Sequence, residues 1–153
     1  MAGSGSRRKE RLLYTIGYEG RTGLEFISLL EEAGIKRLLD VRCNPISRKA
    51  GFSKNMLKDA LAEHGIEYVH FRLLGIPTKY RTDITDEAAR AELFRFYEES
   101  LLPEVQSEVW RAAELVSEAP TALMCFELDY LTCHRHVLAE ELCRRTALQV
   151  KHL

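Results

Sequence analysis

The sequence predicts an α/β fold, a mostly parallel sheet of about four or five strands with helices on both faces. Three observations predict it. Short apolar runs alternate with longer amphipathic ones, glycine or proline punctuates the junctions, and the connections are long enough to carry right-handed crossovers between parallel strands. At 153 residues the chain fits a single domain with its own core, read as residues 11–153. A small polar Gly/Ser stretch over Met1 to Ser6 is followed by Arg7-Arg8-Lys9, and residues 1–10 together read as a disordered tail.

Leu12 to Ile16 forms the first strand, which stops at Gly17. Thr22 with Glu25 three residues later is a capping box, opening a helix through Leu29, Leu30 and Ala33 that Gly34 ends. Ile35 to Val41 is the second strand, cut off by Asn44-Pro45. Ser53 caps a helix from Lys54 to His64 that closes at Gly65. Ile66 to Phe71 is the third strand, followed by the irregular loop "LLGIPTKYRTD". Two amphipathic helices come next, over about 86–101 and 104–118, separated at Pro103, a favoured first-turn residue. Thr121 to Phe126 is the fourth strand, about 134–146 a further helix, and "LQVKHL" offers a last short strand. Phe26, Phe94, Phe96, Tyr97 and Trp110 recur at helical spacing and are assigned to the core.

With 22 Lys+Arg against 23 Asp+Glu the chain is close to neutral, so attraction to phosphate has to come from local clustering of charge. No secretory apolar segment is present, and no apolar run approaches the roughly 20 residues of a membrane span. The four cysteines, at 43, 125, 133 and 143, are therefore read as reduced thiols of a cytoplasmic protein with no membrane partner.

In open α/β sheets ligands bind beyond the carboxyl ends of the strands, and the polar clusters of this chain fall there. Strand one ends in Gly17, Tyr18 and Glu19; strand two in Asp40, Arg42 and the loop "NPISRKAGFSK"; strand three in His70 and Arg72. The fourth strand, a buried apolar run, breaks off into Glu127, Cys133, His134 and Arg135. A strand buried on both sides holds such an outlet rigid, and the outlet is the expected site.

The same stretches carry a family resemblance. "TIGYEGRT", "LLDVRCNPISRKAGFSK", "GIEYVHFRLLG" and "CFELDYLTCHR", spread over about Tyr14 to Leu142, are together similar to the DUF488 family. That family's signature runs TIGYEGR, DVR-x-x-P-x-S-R, G-F-S-K and C-x-E…C-H-R. The resemblance implies an α/β fold and one shared site, and it implies no substrate.

Arg42, Arg48, Lys49 and Lys54, interleaved with Ser47 and Ser53, put forked donors, point charges and hydroxyls on one loop that runs into a helix N-terminus, which suits phosphate. The competing reading pairs Arg42 with Asp40 structurally and leaves Arg48 and Lys49 solvated. The matching motifs favour function for Arg42, Ser47 and Arg48, while Lys49 is left to the solvated face. Glu127, just past a buried strand, should sit in partly apolar surroundings that raise its pKa toward acid/base use. Its competing reading is an ion pair with Arg135 that locks loop to helix.

No cysteine has arginine six residues downstream, as a phosphatase-type thiolate loop requires: Lys49, Leu131, Ala139 and Gln149 stand there instead. Cys125, Cys133, His134 and His136 are willing metal donors, but they lack C-x2-C, and adjacent Cys133-His134 chelates awkwardly, so no metal or cofactor is expected. Cys125 and Cys143 read as small core residues, and Cys133 as the thiol of interest. Tyr18, Phe52 and Tyr80, in the mouth loops, are read as platforms for stacking bases or sugars.

The leading expectation is an enzyme acting on a phosphate-bearing substrate, nucleic acid or nucleotide, by glycosidic or phosphoester cleavage. Glu127 would be the acid/base; Arg42, Arg48 and Arg135 would clamp phosphate; Tyr18, Ser47, Cys133 and His134 would line the substrate site. Lys54 or His70 would assist, and Asp40 would orient an arginine or an attacking water. Its sharpest form is base excision, with a lysine trapping an aldehyde as a Schiff base. Two alternatives stay open: a metal- or thiol-redox protein using Cys125, Cys133 and His134, and a non-catalytic nucleic-acid-binding module.

Overall fold

The computed structural model describes residues 11–153, so the tail read over residues 1–10 lies outside the described residues. Five strands, β1 (Leu12–Gly17), β2 (Arg37–Asp40), β3 (Glu67–His70), β4 (Thr121–Cys125) and β5 (Gln149–His152), form one all-parallel sheet in the order β3-β2-β4-β1-β5. The fourth strand in sequence thus lies at the centre of the sheet. Ala122 pairs with Tyr14 of β1 on one side and Leu38 of β2 on the other, and every residue of β4 is buried.

The pleat divides those residues between two layers. Ala122 and Met124 join Ile16 and Leu38 under Phe26 and Leu30 of α1 (Gly23–Glu32) and Leu57 and Leu61 of α2 (Lys54–Ala62). Leu123 and Cys125 face the other layer with Leu13 and Leu39. There they meet Val109, Ala112, Ala113 and Val116 of the long helix that precedes β4, and Leu138 and Leu142 of the helix that follows it. Helices therefore cover both faces of the sheet. Burial of side chains of this size contributes about 1.5–3 kcal/mol each, which is what fixes the layers.

Helix starts follow from capping. The Thr22 hydroxyl accepts from the Glu25 N–H at 3.1 Å, and Asp86 accepts from Ala89 N–H at 2.8 Å to open α3 (Glu87–Phe96). Gly34 and Gly65, with φ of 72° and 70°, take the left-handed turns that lead out of α1 and α2 at little cost. Ser53 stands at the N-cap of α2, but its hydroxyl is bonded to the backbone of Ser47 and gives the helix no side-chain cap.

Pro103 does not separate two helices as the sequence suggests. The chain runs from α3 through a π turn, Tyr97–Leu101, into the short α4 (Leu102–Glu104), and breaks only at Val105, before α5 (Gln106–Glu118). Proline has no N–H for the carbonyl one turn back and its ring crowds it, so the preceding turn widens and Leu102 N–H donates to Tyr97 O. Tyr97 is driven inward by this turn and is fully buried, as is Phe26. Trp110, by contrast, is 53% exposed and lies under the Arg145 guanidinium, and Phe96 is also exposed, so these two do not belong to the core. The last helix is α6 (Arg135–Arg145). Among the described residues no helix is long and apolar enough to cross a membrane.

Candidate active site

The chain leaves β1 and β2 toward one layer of helices and β3 and β4 toward the other. With β4 seated between β2 and β1, the outlets splay apart at the carboxyl edge, the place where open α/β sheets form crevices. A cavity of about 960 Å³ opens there. It is lined by Tyr18 and Glu19 after β1, by the Arg42–Lys49 loop after β2, by residues between Ile76 and Phe94 after β3, and by Cys125, Phe126, Glu127, Thr132 and His134 after β4.

Arg42 and Asp40, both buried, form the inner frame. The guanidinium donates from Nε to Asp40 Oδ1 at 2.9 Å and from Nη2 to Oδ2 at 2.7 Å, while Nη1 reaches Tyr18 Oη at 3.1 Å and the Phe52 carbonyl at 2.7 Å. Burial opposes the charge on Arg42, but the hydrogen bond and charge of Asp40 outweigh it and hold the guanidinium firmly protonated. Tyr68 also donates its hydroxyl to Asp40, and its own pKa is pushed up by burial and by the Asp40 charge. Four of the five Arg42 donors are thus spent within the protein. Asp40 orients this arginine and does not line the cavity. His70 is likewise off the cavity, its Nε2 donating to the Arg42 carbonyl at 2.8 Å.

The loop after β2 supplies Ser47, Arg48 and Lys49 to the lining. Ser47 Oγ accepts from the Lys49 N–H, and Ser53 ties the loop back on itself. Lys54, first residue of α2, is exposed and stands away from the cavity; the lysine on its wall is Lys49. The segment after β3 contributes two cations that sequence reasoning missed, Arg81 and Arg90. They lie in an irregular loop and on a helix face without a motif, and only the folding of that segment over the β2 outlet brings them in. Gly75 permits this approach by proximity: a Cβ there would sit 2.2 Å from Cys43 N. Five cationic side chains, those of Arg42, Arg48, Lys49, Arg81 and Arg90, line the cavity against two carboxylates, Glu19 and Glu127. Glu19 accepts the Leu128 N–H at 3.0 Å, which fixes the loop after β4.

The aromatic residues do not form the open platforms expected of them. Tyr18 and Phe52 are buried and stack on each other at 4.5 Å, and Tyr80 packs against Phe96. Phe126, 43% exposed and edge-on to Tyr18, is an exposed aromatic ring on the cavity lining, and the half-buried Phe94 lines it too.

Glu127 and Arg135 are not an ion pair. Arg135, fully buried at the start of α6, donates from Nη1 to the Glu127 carbonyl at 2.5 Å and from Nη2 to the Leu128 carbonyl at 3.2 Å. It braces the loop backbone and does not line the cavity, so it offers no fork to a phosphate there. The Glu127 carboxyl group is on the wall, with Oε2 buried and without a hydrogen-bond partner among the described residues. Burial, and then the negative charge of Cys133, push its pKa up to about 7. The loop presses so closely on β1 that a Cβ at Gly17 would meet Glu127 O at 1.9 Å.

Behind Glu127 lie Cys125, Cys133 and His134, all buried. His134 Nε2 donates to Val41 O at 2.9 Å, and Nδ1 faces Cys125 Sγ at 4.0 Å and Cys133 Sγ at 3.8 Å. Cys133 Sγ accepts the Arg135 N–H at 3.4 Å. Burial works against a charge on Cys133, but the hydrogen bond from Cys125 and the His134 imidazole outweigh it and bring this thiol below its ordinary range. Cys125 is pushed the other way, chiefly by its hydrogen bond to Cys133 and then by burial. The ring edge of Tyr97 closes the site over His134, with centroids 5.3 Å apart. Cys125 and His134 reach the cavity wall and Cys133 lies behind them.

Compared with known proteins, residues 24–142 match a family model described as a domain of unknown function, DUF488. No curated protein and no solved structure matches.

Proposed function

The chain belongs to the DUF488 family, and on that footing we propose that it is an enzyme acting on a phosphate-bearing substrate of the nucleotide or nucleic-acid class, with Glu127 as its acid/base group. One observation carries this reading: five cationic side chains line a single cavity whose inner wall holds a glutamate with one buried, unpartnered carboxylate oxygen. Leaving such an oxygen unsatisfied costs free energy, and a substrate hydroxyl, ring nitrogen or water that enters the cavity supplies the missing donor. A carboxyl group so placed can give or take a proton at a glycosidic or phosphoester bond. The cations hold the phosphate, Arg48, Lys49, Arg81 and Arg90 directly. Arg42, with one donor unused among the described residues, mainly shapes the wall.

Exposed Phe126 supports a base or sugar at the mouth. The form of base excision that traps an aldehyde on Lys54 is not carried forward, because Lys54 stands off the cavity. The test is a screen of nucleotides, damaged oligonucleotides and phosphoesters, repeated with Glu127→Gln. The amide keeps the size of the side chain but cannot exchange a proton near neutral pH. Turnover is expected to fall by about 10²–10⁴-fold with binding retained. A variant with full turnover per folded molecule overturns the assignment.

A further inference from the structure

We infer that Cys125 Sγ, Cys133 Sγ and His134 Nδ1 form a three-ligand site for a zinc-class divalent cation, with a fourth position opening on the cavity beside Glu127. The three donor atoms lie within 4.8 Å of one another, and Nδ1 stands 4.0 and 3.8 Å from the two sulfurs. Zinc bonds of about 2.3 Å to sulfur and about 2.0–2.1 Å to nitrogen, arranged tetrahedrally, space such donors roughly 3.6 Å apart. The two nitrogen–sulfur distances therefore need to close by only a few tenths of an ångström, and the sulfurs, within 4.8 Å of each other, by no more than about 1 Å, to seat an ion.

The orientation of His134 is an independent observation that points the same way. Its Nε2 lies 2.9 Å from Val41 O, a group that can only accept, so Nε2 carries the hydrogen and the lone pair of the neutral ring is on Nδ1, aimed between the sulfurs. A ring held through its far nitrogen by a backbone carbonyl is how metal-bound histidines are fixed. Cys133 Sγ is itself held by the Arg135 N–H. The backbone resolves the awkwardness of adjacent ligands: Cys133 is extended (φ −126°, ψ 141°) and His134 helical (φ −63°, ψ −17°), which turns both side chains to one point.

Other arrangements satisfy the cluster less well. At 3.8–4.0 Å a hydrogen bond between the imidazole and either a thiol or a thiolate is long, and a disulfide between the cysteines would leave the buried Nδ1 with no donor. An ion bonds all three donor atoms at once, and its charge offsets two thiolates. Three protein ligands with an open position make the arrangement of a catalytic zinc site and not of a closed structural one. Since Cys125, His134 and Glu127 line the cavity, that position faces the substrate space. This last point rests on the function proposed above; the site itself does not.

Reduced, metal-free protein titrated with Co²⁺ should develop thiolate-to-cobalt charge-transfer absorption that saturates near one equivalent and is bleached by Zn²⁺, and Zn²⁺ should raise the melting temperature. Cys125→Ser and Cys133→Ser should each lose most of the band, whereas Arg48→Ala, at the cavity mouth, should keep it. Wild-type protein whose thiols titrate as reduced yet shows no charge-transfer band overturns the site, whatever the variants do. The readout separates the two proposals. Protein without the band whose turnover still depends on Glu127 loses the metal site and keeps the acid/base group. Protein that binds cobalt but shows no turnover of any phosphate-bearing substrate keeps the site and loses the enzymatic reading.

Discussion

Arg42 closes its guanidinium fork on Asp40, two residues upstream, with Nε and Nη2 at 2.9 and 2.7 Å from the two carboxylate oxygens. Through Nη1 the same side chain ties Tyr18 and Phe52, so one buried cation joins the outlets of β1 and β2 to the basic loop.

Asp40→Asn should therefore destabilise the fold by on the order of 3–5 kcal/mol, because it leaves a buried guanidinium without its counter-charge. The measurement is the shift in urea midpoint at unchanged slope. Replacing both partners by apolar residues, as in Asp40→Leu with Arg42→Met, should cost much less than the single change. A single variant as stable as wild type would show that the pair holds nothing.

Glu127→Gln should melt close to wild type. Arg135 takes the carbonyl oxygens of Glu127 and Leu128, not the carboxylate, so removing that charge strands no cation. Arg135→Met, which removes both bonds to the loop after β4, should lower stability by about 1–3 kcal/mol for the two carbonyls left unpaired. Thermal melts of the two variants side by side give the comparison, and an early-melting Glu127→Gln would assign the carboxylate an architectural role.

Binding of a single-stranded oligonucleotide should weaken as salt rises, each neutralised phosphate adding about 0.7 to the slope of log K against log salt. Arg48→Ala should reduce the slope by about one phosphate and weaken binding evenly across sequences. Lys54→Ala, on an exposed residue outside the cavity, should leave the slope unchanged. Salt titrations that rank the two variants the other way would move the anion site onto α2.

His152 should make the fold less stable in mild acid. Its Nδ1 meets Thr15 Oγ1 at 2.6 Å and its ring stacks on Tyr130 at 3.5 Å, and burial, helped by the charges of Arg135 and His136 against that of Glu140, lowers its pKa from 6.5. A base whose pKa is lower folded than unfolded contributes stability that is fully present above its unfolded value of 6.5 and is lost as pH falls through the folded value. Between pH 7 and pH 5 the melting temperature of the wild type should fall relative to that of His152→Gln, while the raised pKa of Glu127 acts in the opposite direction and equally in both proteins. An unchanged pH profile would remove His152 from the cause.

The sheet, its helices and the cap of α1 were legible because each depends on short-range signals: Thr22 with Glu25, the β4 run that is apolar on both sides; the Ser53 cap was not, because its hydroxyl turns to the backbone of Ser47. The Asp40–Arg42 contact was legible as the competing reading, since residues two apart in an extended segment face the same way, although the motifs favoured a phosphate role for Arg42. Less could be read where a side chain chooses among partners at long range. Arg135 stands where a phosphate fork or a Glu127 partner fits the pattern, yet it turns to backbone carbonyls, which no sequence pattern displays. Lys49 and Lys54 are equivalent in composition, and only the curl of the loop puts the first on the wall. Arg81 and Arg90 have no motif, and Tyr97 owes its place over His134 to a π turn ahead of Pro103. Cys125 and Cys133 lack a metal-binding spacing because they are gathered by a strand end and a helix start, not by a hairpin.

The position of β4 has a consequence for how the chain acquires its shape. On the ribosome β1, β2 and β3 emerge well before β4, yet β1 and β2 are not neighbours: each is bonded to residues 121–125. Most of the sheet therefore cannot zip until four-fifths of the chain has been made, and its pairings close long loops, the arrangement associated with slow folding. A nascent chain halted before Thr121 would hold two open strand edges and an unfilled slot between them, a state that invites foreign strands. The strand that carries the candidate chemistry is also the one whose arrival lets the protein fold.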